Sequence, residues 1–270
     1  MVSNWESIFL GIVEGLTEFL PISSTAHLIV TEKLLNLHSD KFLNFFTIFI
    51  QLGAISAVPL LYFKRLTSDL LIYKYIIFSF IPAAIFGVLL DDLLESMFEG
   101  YWFIAISWFI GGVILYFIDG WLKNDSTTSG SIEHDNSNLT EDLNIVKAIK
   151  IGLYQCIAMI PGISRSGATI IGGRLVGLNH KSAVEYSFLL GIPTILGACS
   201  KKMLDYREDL PSLLNYQNCI SLVIGFIISL VVALVTIKLM VGFVQKNGFK
   251  IFGIYRILIS VLLIIYLLWS

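Results

Sequence analysis

Charge is what this sequence is short of. Only 14% of its 270 residues are Asp, Glu, Lys or Arg, against roughly a quarter in an ordinary soluble domain. So few charges cannot make a water-facing surface, so much of the exterior must face lipid. Positive charge is not in excess either. The net charge is −2 and no basic stripe runs through the chain, which argues against a nucleic-acid partner. Cysteine is scarce: Cys156, Cys199 and Cys219 match neither zinc-ligand spacing nor a disulfide framework and read as packing residues. The amino-terminal stretch lacks the positive region of a cleavable signal, and Glu14 and Glu18 interrupt its apolar run. Insertion is therefore expected to rely on the spans of the chain itself.

What the chain has is apolar sequence. Hydrophobic types make up 56% and the mean hydropathy is +0.81. A helix crossing the hydrocarbon needs about 20 apolar residues, and six stretches qualify: 42–63, 75–90, 102–118, 183–200, 220–237 and 251–269. Asp91, Asp92, Glu95 and Glu99 predict a polar turn between the second and third. Trp5, Trp102, Trp121 and Trp269 fall near the ends of apolar stretches, as interfacial tryptophans do. Two further apolar stretches, 8–30 and 148–176, are each broken near the middle. Pro21 leads into Ile22, Ser23, Ser24 and Thr25, and Pro161 leads into Gly162, Ile163, Ser164, Arg165 and Ser166. Proline ends one helix and is tolerated at the start of the next. Each stretch is predicted to be a helix–turn–helix hairpin that enters the membrane and returns. Broken backbone at that depth is allowed only where protein shields it or a wet cavity adjoins it.

Residues 124–144, rich in Ser, Thr, Asn and Asp, read as a solvated connector. The expected organisation is one polytopic membrane domain, 1–270, with repeat 1 at about 1–120, the polar connector at about 121–147 and repeat 2 at about 148–270. Each half holds one broken hairpin and then three spans. Without gaps, Gly11 falls on Gly152, Glu14 on Gln155, Ile22 on Ile163, Ser23 on Ser164 and Ser24 on Arg165, with three identities in sixteen positions. A returning hairpin keeps its side while three spans change it, so the second half is expected to be inverted. Inverted repeats bring their broken helices together near the midplane. The predicted fold class is an all-α integral membrane protein, with six transmembrane helices plus two re-entrant helical hairpins in an inverted-topology repeat. Lys64, Arg65, Lys74, Lys123, Lys147, Lys150, Lys238, Lys246 and Lys250 share one side, expected to be cytoplasmic. The other side holds Lys33, Lys41, Lys201, Lys202 and Arg207, and the first hairpin opens there.

The chemistry sits in the two hairpins. An ionisable group at membrane depth costs about 2.5–3.5 kcal/mol on insertion scales, and Glu14, Glu18, His27 and Arg165 all fall there. Glu14 and Glu18, four apart, share a helix face and repel unless a cation, a proton or an arginine intervenes. A Mg²⁺ bound to diphosphate oxygens fits this pair; a bland reading places both at the membrane surface. Ser23, Ser24 and Thr25 open a helix, where free N–H groups favour an anion, though a serine there also serves as an N-cap. Ser24 and His27 are one turn apart, and histidine can exchange a proton near neutral pH. Arg165 can grip two phosphate oxygens, with Ser164, Ser166 and Thr169 as added donors; its bland role is a salt bridge to Glu14 or Glu18. His38, His134 and His180 carry no assigned role. Arg256 is expected to snorkel or pair, and Arg174 to contact headgroups or close the second hairpin.

The run from Glu14 through Glu18, Pro21, Ser23, Ser24, Thr25 and His27, the run from Pro161 through Arg165 to Thr169, and the run from Glu185 through Gly191 to Pro193 resemble the undecaprenyl-diphosphate phosphatase family (UppP, also called BacA). The resemblance covers essentially the whole chain. It implies hydrolysis of undecaprenyl diphosphate to the monophosphate, recycling of the cell-wall lipid carrier and bacitracin resistance. It also implies a divalent cation, with Mg²⁺ preferred to Ca²⁺, and a site on the periplasmic or outer face of the bacterial inner membrane. Carried onto these positions, it makes Ser24, His27, Glu18 and Arg165 catalytic and Glu14 and Glu18 metal ligands. Thr25, Ser23, Ser164, Ser166 and Thr169 become substrate-binding. Ser24 is the expected nucleophile with His27 as base, and water activated by His27 the alternative. Ala26 departs from the family's usual glycine; if that position needed positive φ, Ala26 would strain the turn. The partners expected are the polyprenyl diphosphate and membrane lipids, with room for a homodimer. The rival reading is a secondary transporter or lipid flippase, since inverted repeats with broken helices recur there. A lipid-phosphate phosphatase of another superfamily lacks its second histidine here.

Overall fold

The computed structural model describes residues 2–90, 100–125 and 139–269. The turn expected at Asp91, Asp92, Glu95 and Glu99, together with His134 and most of the connector, lies outside the described residues. Among the described residues there are twelve helices and no strand. They are α1 (Asn4–Thr17), α2 (Ser24–Leu34), α3 (Lys41–Leu61), α4 (Phe63–Ser68), α5 (Leu71–Leu89), α6 (Tyr101–Asp125), α7 (Ile145–Ile157), α8 (Arg165–Leu175), α9 (His180–Asp205), α10 (Leu210–Leu213), α11 (Tyr216–Asn247) and α12 (Lys250–Trp269).

Six of these, α3, α5, α6, α9, α11 and α12, are long and apolar enough to cross a membrane, and they match the six apolar stretches. Their starts follow local chemistry. The side chains of Asp40, Asn179 and Asn215 each accept a hydrogen bond from a backbone N–H in the first turn of α3, α9 and α11, as N-caps do. The main boundary difference is α11. At 32 residues it is about 48 Å long, so Lys238 and Lys246 ride on helix rather than filling a loop. Gly248, at φ 67°, then turns the chain into α12.

The two broken stretches are helix–turn–helix units, α1–α2 and α7–α8. Packing between the halves is matched by exchange. Helix α1 lies on α11 as α7 lies on α5, and α3 meets α11 as α9 meets α5. The pairs α3–α9 and α6–α12 map onto themselves. Glycine permits close approach: a Cβ on Gly15 would stand 2.6 Å from the Ser229 carbonyl oxygen. Outward faces carry large apolar side chains such as Val231 and Val235 on α11 and Leu258 and Leu262 on α12. Trp5, Trp102, Trp121 and Trp269 are also exposed, which suits interfacial anchoring. Cys199 is buried and Cys219 exposed, so packing accounts for the first and not for the last.

Candidate active site

The turns of the two broken units face each other and are stitched directly. Ser166 donates to the Leu20 carbonyl at 2.9 Å and shares a 2.9 Å hydroxyl contact with Ser164. Ser164 also N-caps α8, accepting from the Gly167 N–H at 3.1 Å. Its equivalent in the first unit, Ser23, sits at the N-cap of α2 but makes no side-chain cap bond. The start of α2 therefore keeps N–H groups free for an anion, whereas α8 is closed by its own serine. Ser23 also holds φ 71°, a conformation that costs a non-glycine residue of order 1–3 kcal/mol. The strain expected at Ala26 is not found there: Ala26 lies inside α2, and the strained residue is Ser23.

Arg165, the first residue of α8, reaches across to the first unit. Its Nη2 lies 2.6 Å from Glu18 Oε1 and its Nη1 donates to the Ser187 carbonyl at 2.8 Å. Its Nε is buried without a hydrogen-bond partner among the described residues. The other carboxylate oxygen, Glu18 Oε2, accepts the Ser24 hydroxyl at 2.6 Å. A continuous chain Ser24–Glu18–Arg165 thus joins hydroxyl, carboxylate and cation. Gly191 makes room for it, since a Cβ there would meet Arg165 Nη1 at 2.5 Å. These groups open onto a cavity of about 190 Å³ lined by Glu18, Ser23, Ser24, Thr25, Ser164 and Arg165, together with Gln51, Gln155 and Thr194.

Other expected site residues are placed differently. Ser166 and Thr169 are buried beneath the cavity. Thr169 bonds the Arg165 carbonyl and the Ser187 hydroxyl, so both residues knit α8 to its neighbours. Glu14 is fully buried beside Glu18, and among the described residues no N–H or O–H donor reaches either of its oxygens. Its burial removes the surface-flanking reading of the two glutamates. His27 does not meet Ser24. Its Nδ1 faces the Ser23 carbonyl at 2.7 Å and must donate; in the neutral ring Nε2 then accepts the Tyr255 hydroxyl at 2.7 Å. The ring also packs against Trp108, with centroids 4.8 Å apart.

One contributor carried no mark in the sequence. Trp108, wholly buried, donates from Nε1 to the Ile22 carbonyl at 3.0 Å. Arg256 neither snorkels nor pairs with a carboxylate among the described residues. It is 2% exposed and donates only to backbone carbonyls. Arg174 donates to the Leu178 carbonyl at 2.7 Å, which ties the end of α8 to the link into α9. His180 begins α9 and stands 3.8 Å from Asp119, away from the cavity.

The comparisons with known proteins meet this geometry. The family model described as bacitracin resistance protein BacA matches residues 7–262. An undecaprenyl-diphosphatase of Flavobacterium psychrophilum is 44% identical over 260 residues, covering 96% of this chain and 94% of that one. The Aquifex aeolicus protein of the same name is 43% identical, covering 96% of each chain. That of Porphyromonas gingivalis is 38% identical, covering 97% of this chain and 96% of its own. Both turns of the broken units, five of the six apolar spans, most of the last one and the whole Ser24–Glu18–Arg165 chain fall inside the matched region, and this integral membrane protein belongs to the BacA family.

Proposed function

We propose that this protein hydrolyses undecaprenyl diphosphate to undecaprenyl phosphate and inorganic phosphate at this cavity. The reaction returns the cell-wall lipid carrier to its monophosphate form and removes the diphosphate that bacitracin sequesters. The observation that carries the reading is the Ser24–Glu18–Arg165 chain, built from two 2.6 Å contacts. A transporter of a neutral solute has no need of it.

Phosphoryl transfer needs mainly positioning and charge neutralisation. The remaining N–H groups of Arg165, the open start of α2 and the Ser164 hydroxyl receive the diphosphate oxygens. Ser24 Oγ attacks the distal phosphorus while its proton passes to Glu18 Oε2. The bond from that phosphorus to the bridging oxygen breaks, and the electron pair leaves with the lipid phosphate. A phosphomonoester with a second pKa of about 6 needs no strong acid to leave. Water then attacks the phosphoserine phosphorus, the bond from phosphorus to Oγ breaks, Glu18 returns its proton to Ser24 Oγ, and inorganic phosphate leaves with the oxygen and protons of that water. His27 takes no proton from Ser24 here; it holds the Ser23 carbonyl and so the strained entry to α2. A divalent cation, Mg²⁺ rather than Ca²⁺, is part of this proposal, because Glu14 buries a carboxylate that no donor of the described residues reaches, next to Glu18. Glu14 and Glu18 would hold it, and it would neutralise phosphate charge when bound.

The two broken units are read as re-entrant hairpins of an inverted repeat, 1–120 and 148–270 about the connector 121–147. The exchange-matched packing and the three spans in each half support this. The headgroup enters the cavity from the outer side of the bacterial inner membrane, as the lysine and arginine bias suggests, with the prenyl tail among the spans. The test is phosphate release from a prenyl diphosphate by detergent-solubilised protein. Release is expected, with loss on chelation and a fall of about 10³-fold or more in Ser24→Ala. Quenched turnover should leave phosphate on the Ser24 peptide by mass spectrometry. No release from the unaltered protein would sink the enzymatic reading, and an active Ser24→Ala would leave direct attack by water.

A further inference from the structure

Arg256 donates to four carbonyls: Trp108 at 3.3 Å and Ser107 at 3.1 Å in α6, Pro21 at 3.2 Å and Gly162 at 2.9 Å. The last two belong to the turns of the two broken units. They are also equivalent positions, because the alignment that sets Ile22 on Ile163 and Ser23 on Ser164 sets Pro21 on Gly162. One guanidinium therefore ties the same point of both turns, two residues before Ser23 in one and two before Ser164 in the other.

Everything around it fits that purpose. Helix α6 presses on both turns: Trp108 Nε1 holds the Ile22 carbonyl at 3.0 Å, and a Cβ on Gly162, at φ 86°, would meet Ser107 Cβ at 2.9 Å. Gly111 is the residue whose missing side chain admits the guanidinium. Burial of a lone charge is costly unless fixed dipoles satisfy it, and here turn and helix carbonyls supply them. A planar fork can serve several carbonyls at set angles; an ammonium cannot.

We infer that Arg256 is a positioning residue for the phosphatase: it sets the separation of the two turns and thereby the alignment of Ser24 with Arg165. It touches no substrate. The inference rests on the enzymatic reading only for its kinetic arm. Misplacement by about 1 Å can cost 10²-fold in rate, so Arg256→Lys is expected to lower kcat by about 10–100-fold with KM changed by no more than about twofold. Arg256→Ala should fall further and be partly restored by added guanidinium ion.

The second arm needs no turnover. Nitroxides on cysteines introduced at Leu34 in α2 and Leu175 in α8, both exposed, report the separation of the two units in substrate-free protein. The distance distribution should shift or broaden in Arg256→Lys, in samples whose thermal unfolding shows a folded protein. Parent-like kinetics with a parent-like distribution would overturn the inference. So would a loss confined to KM, or a loss of kcat with the distribution unmoved. If the parent itself releases no phosphate, the enzymatic reading fails while the distance arm still decides the role of Arg256.

Discussion

Arg165 and Arg256 both reach into the protein interior, and they are used in opposite ways. Arg165 has one carboxylate partner, one carbonyl partner and an Nε with none among the described residues, and its side chain is 14% exposed at a cavity. Arg256 is 2% exposed, has no carboxylate partner among the described residues and directs its guanidinium into four carbonyls. A guanidinium with a nitrogen left over faces a ligand; one whose every nitrogen is held by backbone faces the fold. The largest effect should follow from breaking the first kind. Arg165→Ala is expected to lower kcat/KM for a prenyl diphosphate by about 10³-fold, the size seen when a phosphate-gripping arginine is lost. Arg165→Lys should recover little of it, because an ammonium cannot hold Glu18, Ser187 and a phosphate together. Phosphate-release kinetics check this. A loss below tenfold would place Arg165 with Arg256, as structure alone.

Much of the fold was legible because insertion into lipid is read from apolar length. The six spans and the two breaks at Pro21 and Pro161 follow from that. The pairing of Arg165 with Glu18 was legible as one of two partners, since isolated charges at depth must meet. The partners of His27 and Arg256 were not. Lipid is as apolar as the protein interior, so a span such as α12 shows no polar stripe to mark its inward face. Tyr255 and Arg256 stand side by side at its start, and nothing in their spacing tells that one meets His27 and the other two turns. Ser187 and Gly191 were quoted only within a family-like run; their contact with Arg165 depends on how α9 lies across α8.

His27 tests the comparison at an intermediate level. It belongs with Arg256 if it only holds the Ser23 carbonyl, and with Arg165 if it turns to Ser24. Loss of a true acid–base group typically costs 10²–10⁴-fold. His27→Gln is expected to cost at least an order of magnitude less than Ser24→Ala, and Tyr255→Phe less again, because it removes only the bond to Nε2. Rates measured side by side decide this. Equal losses in His27→Gln and Ser24→Ala would mean that the ring leaves Tyr255 during turnover.

The smallest and sharpest contrast lies in two glycines. Gly191 and Gly111 each leave the space that an arginine head occupies, and a Cβ at either would collide with guanidinium nitrogen. The consequences should differ because the two heads differ in freedom. Arg165 lies at the cavity and can swing into it, so Gly191→Ala should keep its thermal stability and lose about tenfold in kcat/KM. Arg256 has four carbonyls to abandon and no space to enter. Gly111→Ala should therefore behave as overpacking, which costs about 1–3 kcal/mol, and show a lowered unfolding temperature. The reverse pattern, with Gly191→Ala unstable and Gly111→Ala merely slow, would mean that Arg165 is the fixed strut and Arg256 the mobile one. A residue's partners would then be no guide to what it does in this protein.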